Sequence, residues 1–271
     1  MNNSTTPSAN EMLDAEGSSD AAAALHRALA RMGAASSYGF RHDVAGGVTT
    51  YATGTPMARM NGISVNRSKV SGSFDSLEQS VRTLAGTGLP WTVQLFGRGE
   101  LPAAVSRFIS SSTSQTVPTY AVDISALPNT KTPEELEITA VRTASDRRDF
   151  GSVLGEAFGA GPDLGEPLVH PSTLQDKGVI ALLGRVGGEP VATGIAVVDG
   201  MWCGVFAIAT SALFRSRGYG AAMTLRLAHE GATRGARVAY LQASDMGEPI
   251  YRRLGFRDIH EDTDYVSLRV D

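Results

Sequence analysis

Residues 208–221 read IATSALFRSRGYGA. An apolar run ends at Thr210, a turn carries Arg215 and Arg217, and Gly218 and Gly220 lead into GYGAAMTLRLAHEGATRG. In that segment Ala221, Leu225, Ala228 and Ala232 share one helical face. The stretch therefore reads as strand, tight turn, helix. The first amides of a helix have no internal partner, and the helix dipole adds partial positive charge there. Glycines remove side chains that would hold an anion away, and two arginines add full charge. Together these features predict a cradle for a pyrophosphate formed by main-chain amides from Ser216 to Ala221. Taken alone, the stretch also fits a structural turn with two solvated arginines. It does not fit the Walker loop, which needs Lys-Ser/Thr where Ala221-Ala222 stand. Nor does it fit the dinucleotide fingerprint, which needs a third glycine and an acid at the end of the next strand.

Upstream, LEITAVRTA (136–144) predicts a strand and SDRRDFGSVLGEAF (145–158) a helix with a Ser/Asp start. A Gly/Pro-rich loop follows. VIALLGRV, EPVATGIAVVD and MWCGVFAIAT then predict three strands, joined by Gly187-Gly188 and Asp199-Gly200 hairpin turns. Downstream come a strand (RVAYLQAS), a short helix (GEPIYRRLG) and a terminal strand or pair of strands (FRDIHEDTDYVSLRV).

The quoted turn, RSRGYGA, matches the R/Q-x-x-G-x-G/A signature of the GCN5-related N-acetyltransferases, and the C-terminal half resembles that superfamily from about Leu136 to Asp271. YLQAS–DMGEPIYRRLGF is similar to the family's fifth strand and fourth helix, with Tyr251 at the tyrosine position. Three positions depart from the pattern: Ser244 stands where many members have Asn, Thr210 where most have Val, and Ala212 where many have Pro. The resemblance implies an α/β (α+β) fold with a mixed, mostly antiparallel sheet splayed between its fourth and fifth strands. It implies acetyl-CoA as acyl donor. The implied cofactor-binding positions are Ile208, Ala209, Thr210, Arg215, Ser216, Arg217, Gly218, Tyr219, Gly220, Ala221 and Ser244. A backbone amide near Ile208–Ala209 would receive the developing oxyanion, and Tyr251 would be the catalytic acid.

The N-terminal half carries no comparable chemistry. DAAAALHRALARMG (20–33) and SFDSLEQSVRTLAGTG predict helices, LPAAVSRFIS a further one. GVTTYAT, NGISV, PWTVQLFG and TVPTYAVDI predict strands. TGTPMARMNGISV and PWTVQLFGRGELPAAVSRF resemble the degenerate domain that precedes the active one in actinobacterial tandem members of the family. The implied organisation is a disordered tail (1–18), a degenerate domain (19–125), a linker, ALPNTKTPEE (126–135), and a catalytic domain (136–271).

Net charge is −4, with no basic-aromatic run, which argues against nucleic acid. The basic patch Arg215, Arg217, Arg226, Arg234 and Arg237 suits a phosphorylated ligand better. Cys203 is the sole cysteine; in an apolar run it reads as a small buried hydrophobe rather than a nucleophile. No targeting segment or membrane-length apolar run is visible, so a cytoplasmic location is expected. No metal-ligand spacing appears.

The expected reaction is acetyl transfer to the amine of a small molecule, by a monomer or homodimer. A protein lysine or N-terminal acetyltransferase and a non-catalytic acyl-CoA-binding module are the alternatives. The base is not legible: Glu156, Asp163, Glu166, His170 and Asp199 are candidates, while His229 and His260 are expected bystanders. The acceptor is expected among the loop 159–171, the Trp202 segment and the N-terminal domain, with Asp163 and Glu166 attracting a cationic amine.

Overall fold

The computed structural model describes residues 18–44, 46–70, 75–101, 106 and 113–267. The predicted tail and most of the predicted helix LPAAVSRFIS lie outside the described residues. The N-terminal half runs α1 (Ser18–Ala35), β1 (Phe40–Val44), β2 (Val48–Ala52), β3 (Asn61–Asn66), α2 (Asp75–Ala85), β4 (Thr92–Phe96) and β5 (Thr113–Asp123). The C-terminal half begins with β6 (Leu136–Ala140), α3 (Ala144–Phe158), α4 (Glu166–Val169), α5 (Pro171–Leu174), β7 (Val179–Val186) and β8 (Glu189–Asp199). It continues through β9 (Trp202–Thr210), α6 (Tyr219–Thr233), β10 (Val238–Gln242), α7 (Glu248–Arg253) and β11 (Arg257–Ser267).

Among the described residues, eleven strands form one mixed sheet in the order β1-β2-β3-β4-β11-β5-β10-β9-β8-β7-β6. Two neighbouring pairs are parallel, β3–β4 and β9–β10. In each, a helix links the partners: α2 in the first half, α6 in the second. The two halves thus repeat one strand–helix–strand unit. Their last strands interleave at the centre: β11 lies between β4 and β5, and β5 lies between β11 and β10. Each half therefore completes the ladder of the other.

The hairpins follow their turn chemistry. Gly187 and Gly188 have φ of 58° and 87°, and Gly200 has φ of 59°, as the turns joining right-twisted strands require. Thr143 caps α3 and forms a reciprocal capping box with Asp146. The Gly/Pro-rich loop is more ordered than its composition predicts: a 3-10 turn (Pro162–Leu164) and the short helix α4 lie within it, and α5 starts at its end. β1 was not apparent in the sequence, because its residues FRHDV are largely exposed and lack an apolar period.

Helices α1 and α3 pack on one sheet face through Leu25, Leu29, Phe150 and Leu154. Helices α6 and α7 pack on the other through Met223, Leu227, Tyr251 and Leu254. Helix α1 is held to the second half by polar contacts too. Arg31 donates Nε and Nη2 to the Asp176 carboxylate at 2.9 and 2.6 Å, and Arg27 pairs with Asp199 at 2.7 Å.

Candidate active site

Strands β9 and β10 start as a parallel pair and then part. Their ladder runs from Val238↔Trp202 to Tyr240↔Gly204 and ends there, although β9 continues to Thr210 and β10 to Gln242. The cause lies in the β8–β9 ladder. Its register steps from Ile195↔Phe206 to Thr193↔Ala209, so Ala207 and Ile208 together oppose Gly194. Ala207 has φ of 52°, and its carbonyl accepts a hydrogen bond from Thr193 Oγ1 at 3.0 Å. A bulge of this kind bends its strand and increases the local twist. A Cβ on Gly194 would fall 2.6 Å from Leu227 Cδ1 and 2.7 Å from Ile208 Cδ1, so a larger residue there would displace both side chains. Beyond Gly204, the edge of β9 that faced β10 has no strand partner, and its peptide groups turn into the opening.

A cavity of about 880 Å³ fills that opening. Ile208, Ala209 and Thr210 line one wall; Ser244, Ile250, Tyr251 and Leu254 line the other. The α6 N-terminus closes one end, with Arg215, Ser216, Gly218, Tyr219, Gly220 and Ala221 at the surface. Gly218 is the N-cap of α6 with φ of 83° and no side-chain cap. Ala222 is the first amide to bond back, to Gly218 O at 3.0 Å, which leaves the preceding amides without intrahelical partners. Gly220 is different from Gly218. A Cβ on it would meet only Ile208 and Thr210, each at 3.8 Å. The fold itself would accept a side chain there, so its absence keeps the cradle open. Phe158 and Met246, two of the exposed large hydrophobics, also line the cavity, as suits an apolar ligand arm.

Of the twelve residues singled out in the sequence, eleven line this cavity. Arg217 does not: its guanidinium lies over the Phe214 ring, 5.2 Å from the centroid. Tyr219 reaches the cavity from the helix end while its hydroxyl donates to Glu135 at 2.8 Å. Pro133 lies 3.9 Å from where a Gly218 Cβ would be. The segment 133–135 thus braces the turn. The rest of the basic patch serves elsewhere: Arg226 pairs with Glu230, and Arg234 donates to the carbonyls of Lys177 and Val179. Ser244 Oγ accepts the Gly247 amide at 3.3 Å, which shapes the entry to α7. Arg253, Pro249 and Met246 were not singled out. No signal in GEPIYRRLG marks Arg253, because residues two apart in a helix do not share a face.

Tyr251 is 9% exposed, packed edge-on against Phe256. Burial pushes its phenol up to about 12. Its hydroxyl has no hydrogen-bond partner among the described residues, and it is not a buried orphan, so it opens on the cavity. Glu156 has another role. Its carboxylate accepts Ser211 Oγ at 2.8 Å and the Ala212 amide at 3.0 Å. Those bonds, led by the Ala212 amide, hold it below the usual carboxylate range, which removes it as a base near neutrality. His170 is bound to Ser37 and Ser172 and caps α5. Glu166 accepts from the Tyr38 hydroxyl, and Asp199 pairs with Arg27. Trp202 lies at the closed end of the β9–β10 ladder, 5% exposed, against Tyr240. It therefore cannot line an acceptor site at the open end. Cys203 is buried beside α6, and burial raises its thiol to about 12.

Among the described residues, the matching parallel pair of the N-terminal half does not part. β3 and β4 stay paired from Gly62↔Thr92 to Asn66↔Phe96, the full length of β4.

No family model matches the chain, and no curated protein matches it. Solved structures do. A GCN5-related N-acetyltransferase from Kribbella flavida superposes with a TM-score of 0.67 at 20% identity, over 93% of this chain and 96% of that one. A conserved protein of unknown function from Staphylococcus epidermidis gives 0.60 at 12% identity, over 86% and 95%. A GCN5-related N-acetyltransferase from Sphaerobacter thermophilus gives 0.55 at 16% identity, over 85% and 84%. The chain has the fold of the GCN5-related N-acetyltransferases, and the likeness extends through both halves.

Proposed function

We propose that the chain is an acyl-CoA-dependent N-acetyltransferase that moves an acetyl group from acetyl-CoA to a primary amine of a small molecule. One observation carries this reading: unpaired strand edge, open helix N-terminus and free Tyr251 hydroxyl all face one cavity. The α6 amides and Arg215 suit a pyrophosphate. The unpaired edge of β9 suits the amides of pantetheine, which would add to it as a strand would. The apolar rim of Phe158 and Met246 suits the remaining arm.

In the reaction the amine nitrogen attacks the thioester carbon. Charge gathers on the carbonyl oxygen, within reach of a β9 amide. The carbon–sulfur bond breaks, and the leaving thiolate takes the Tyr251 proton, which solvent restores. The extra proton of the amine leaves to water, since none of the five carboxylate and histidine candidates considered above lines the cavity. The N-terminal half, with β3 and β4 joined throughout, would contribute to the acceptor side rather than bind a second acyl donor.

Titration calorimetry with acetyl-CoA, followed by an amine panel monitored by thiol release, tests the proposal. Micromolar binding with amine-dependent thiol release is the expected result. Absence of acetyl-CoA binding at micromolar concentrations overturns it.

A further inference from the structure

The sheet face beneath α1 carries a polar layer that the acyl-donor site does not use. It is built by both halves where their last strands interleave. Gln242 ends β10 two residues past Tyr240, the last residue paired to β9, so it sits at the split. Its Oε1 accepts the Tyr265 hydroxyl at 2.6 Å, but its buried Nε2 has no partner. Directly opposite on β5 stands Thr119, fully buried, whose hydroxyl also has no partner. Buried polar atoms are seldom left unpaired, and each such atom costs stability. Two on facing positions of adjacent strands, beside the split, point to a ligand that supplies the missing bonds.

The charge on this face is equally specific. Arg59 lies over the Tyr265 ring, 5.2 Å from its centroid, and donates to Gln115 at 2.7 Å. Among the described residues no carboxylate pairs with it. Its position is fixed from beneath. Asn61 Nδ2 donates to the carbonyls of Thr55, Met57 and Pro90, and Gln94 Nε2 donates to the Arg59 carbonyl at 3.2 Å. The flanking Met57 and Met60 pack on the same apolar cluster as Phe206 and Ala207 of β9. Arg59 is tied to the split through Tyr265, whose ring it covers and whose hydroxyl reaches Gln242. A partly buried, unpaired guanidinium on a braced loop is suited to a carboxylate or phosphate, which it can hold through two parallel bonds.

We propose that the acceptor is an amine that also bears an anionic group, a carboxylate or a phosphate. Arg59 holds that group, and Gln242 and Thr119 bond the part of the acceptor nearest the split. This rests on the transferase reading and narrows its substrate class. It adds an anionic group to the cationic amine expected from the sequence.

The test uses the full chain and matched amine pairs: amino acids against their decarboxylated amines, and phosphoethanolamine against ethanolamine. Binding is measured by titration calorimetry without acetyl-CoA, and transfer by thiol release with it. The expected result is at least about a tenfold preference for the anionic member of a pair. Arg59→Ala should erase that preference by weakening the anionic member about tenfold, and Arg59→Lys should restore part of it. The carboxylate and phosphate pairs tell the two anions apart. Preference for the decarboxylated amines, equal losses for both members of a pair, or a panel with no Arg59-dependent binder overturns the proposal. If acetyl-CoA fails to bind while Arg59-dependent anion binding persists, the transferase reading falls and the anion site stands.

Discussion

Tyr240, the last residue of β10 that pairs with β9, donates its hydroxyl to the carbonyl of Ala24 in α1 at 2.9 Å. The point at which the sheet divides is therefore fastened to a helix from the other half. The same hydroxyl lies 2.5 Å from where a Cβ on Gly204 would stand. Two substitutions here test that packing. Tyr240→Phe removes one buried hydrogen bond, worth about 1 kcal/mol, and should lower Tm by roughly 2–4 °C in a chain of this size. Gly204→Ala drives a methyl group into a filled space and should cost about 1–3 kcal/mol. Thermal melts of both variants check this. A Gly204→Ala protein as stable as the parent would mean that the split is less tightly packed than described.

Gly218 and Gly220 stand two residues apart and should respond in opposite ways. Gly218 has φ of 83°, so Gly218→Ala should destabilise by about 1 kcal/mol. Gly220 lies inside α6 with room for a Cβ, so Gly220→Ala should stabilise by about 0.5–1 kcal/mol through helix propensity. Because that methyl group would project toward Ile208 and Thr210, acetyl-CoA affinity should nevertheless fall about tenfold or more. A variant that is both more stable and tighter-binding would remove Gly220 from the cradle.

The strands around the split were legible because they obey short-range rules. The Gly-Gly and Asp-Gly turns fixed three antiparallel strands, and β7 falls on 179–186 as its apolar run predicts. The anion cradle was legible because it is local, a single turn and helix start. Contacts distant in sequence were not. That β5 enters the ladder of the second half depends on pairings across more than a hundred residues, such as Val238↔Asp123, and no periodicity encodes a partner. Arg217 illustrates the same limit within the motif. Its charge is visible in the sequence, but its stacking over Phe214 depends on the turn conformation around Ser216, whose φ is 61°.

Glu156 links α3 to the turn that follows β9, through Ser211 and Ala212. Its folded pKa is depressed, first by the Ala212 amide. A depressed carboxylate contributes order above its unfolded value and loses it as pH falls through the folded one. Near neutrality it is fully ionised and does not titrate. Glu156→Gln should therefore leave the neutral and alkaline limbs of the pH–rate profile in place. Glu156→Ala should weaken acetyl-CoA binding about three- to tenfold, by loosening the turn that leads to the cradle. Disappearance of the neutral limb in Glu156→Gln would instead make Glu156 the base.

Tyr251 joins burial to proton transfer. Its phenol is raised to about 12, against an unfolded value near 10. The sign is that of a raised group: its contribution to stability is complete below pH 10 and is lost as pH rises through 12. As an acid it also stays protonated throughout the range in which amines become nucleophilic. The rate should thus climb with pH as the acceptor amine deprotonates and show no alkaline fall from Tyr251 below about pH 11. Tyr251→Phe keeps the ring against Phe256 and removes only the hydroxyl. It should lower kcat about a hundredfold or more while acetyl-CoA affinity changes less than about threefold. It should also remove the loss of stability between pH 10 and 12. Stopped-flow thiol release, calorimetry and melts across that range measure all three. A Tyr251→Phe enzyme with full kcat would reduce Tyr251 to a packing residue of the cavity wall.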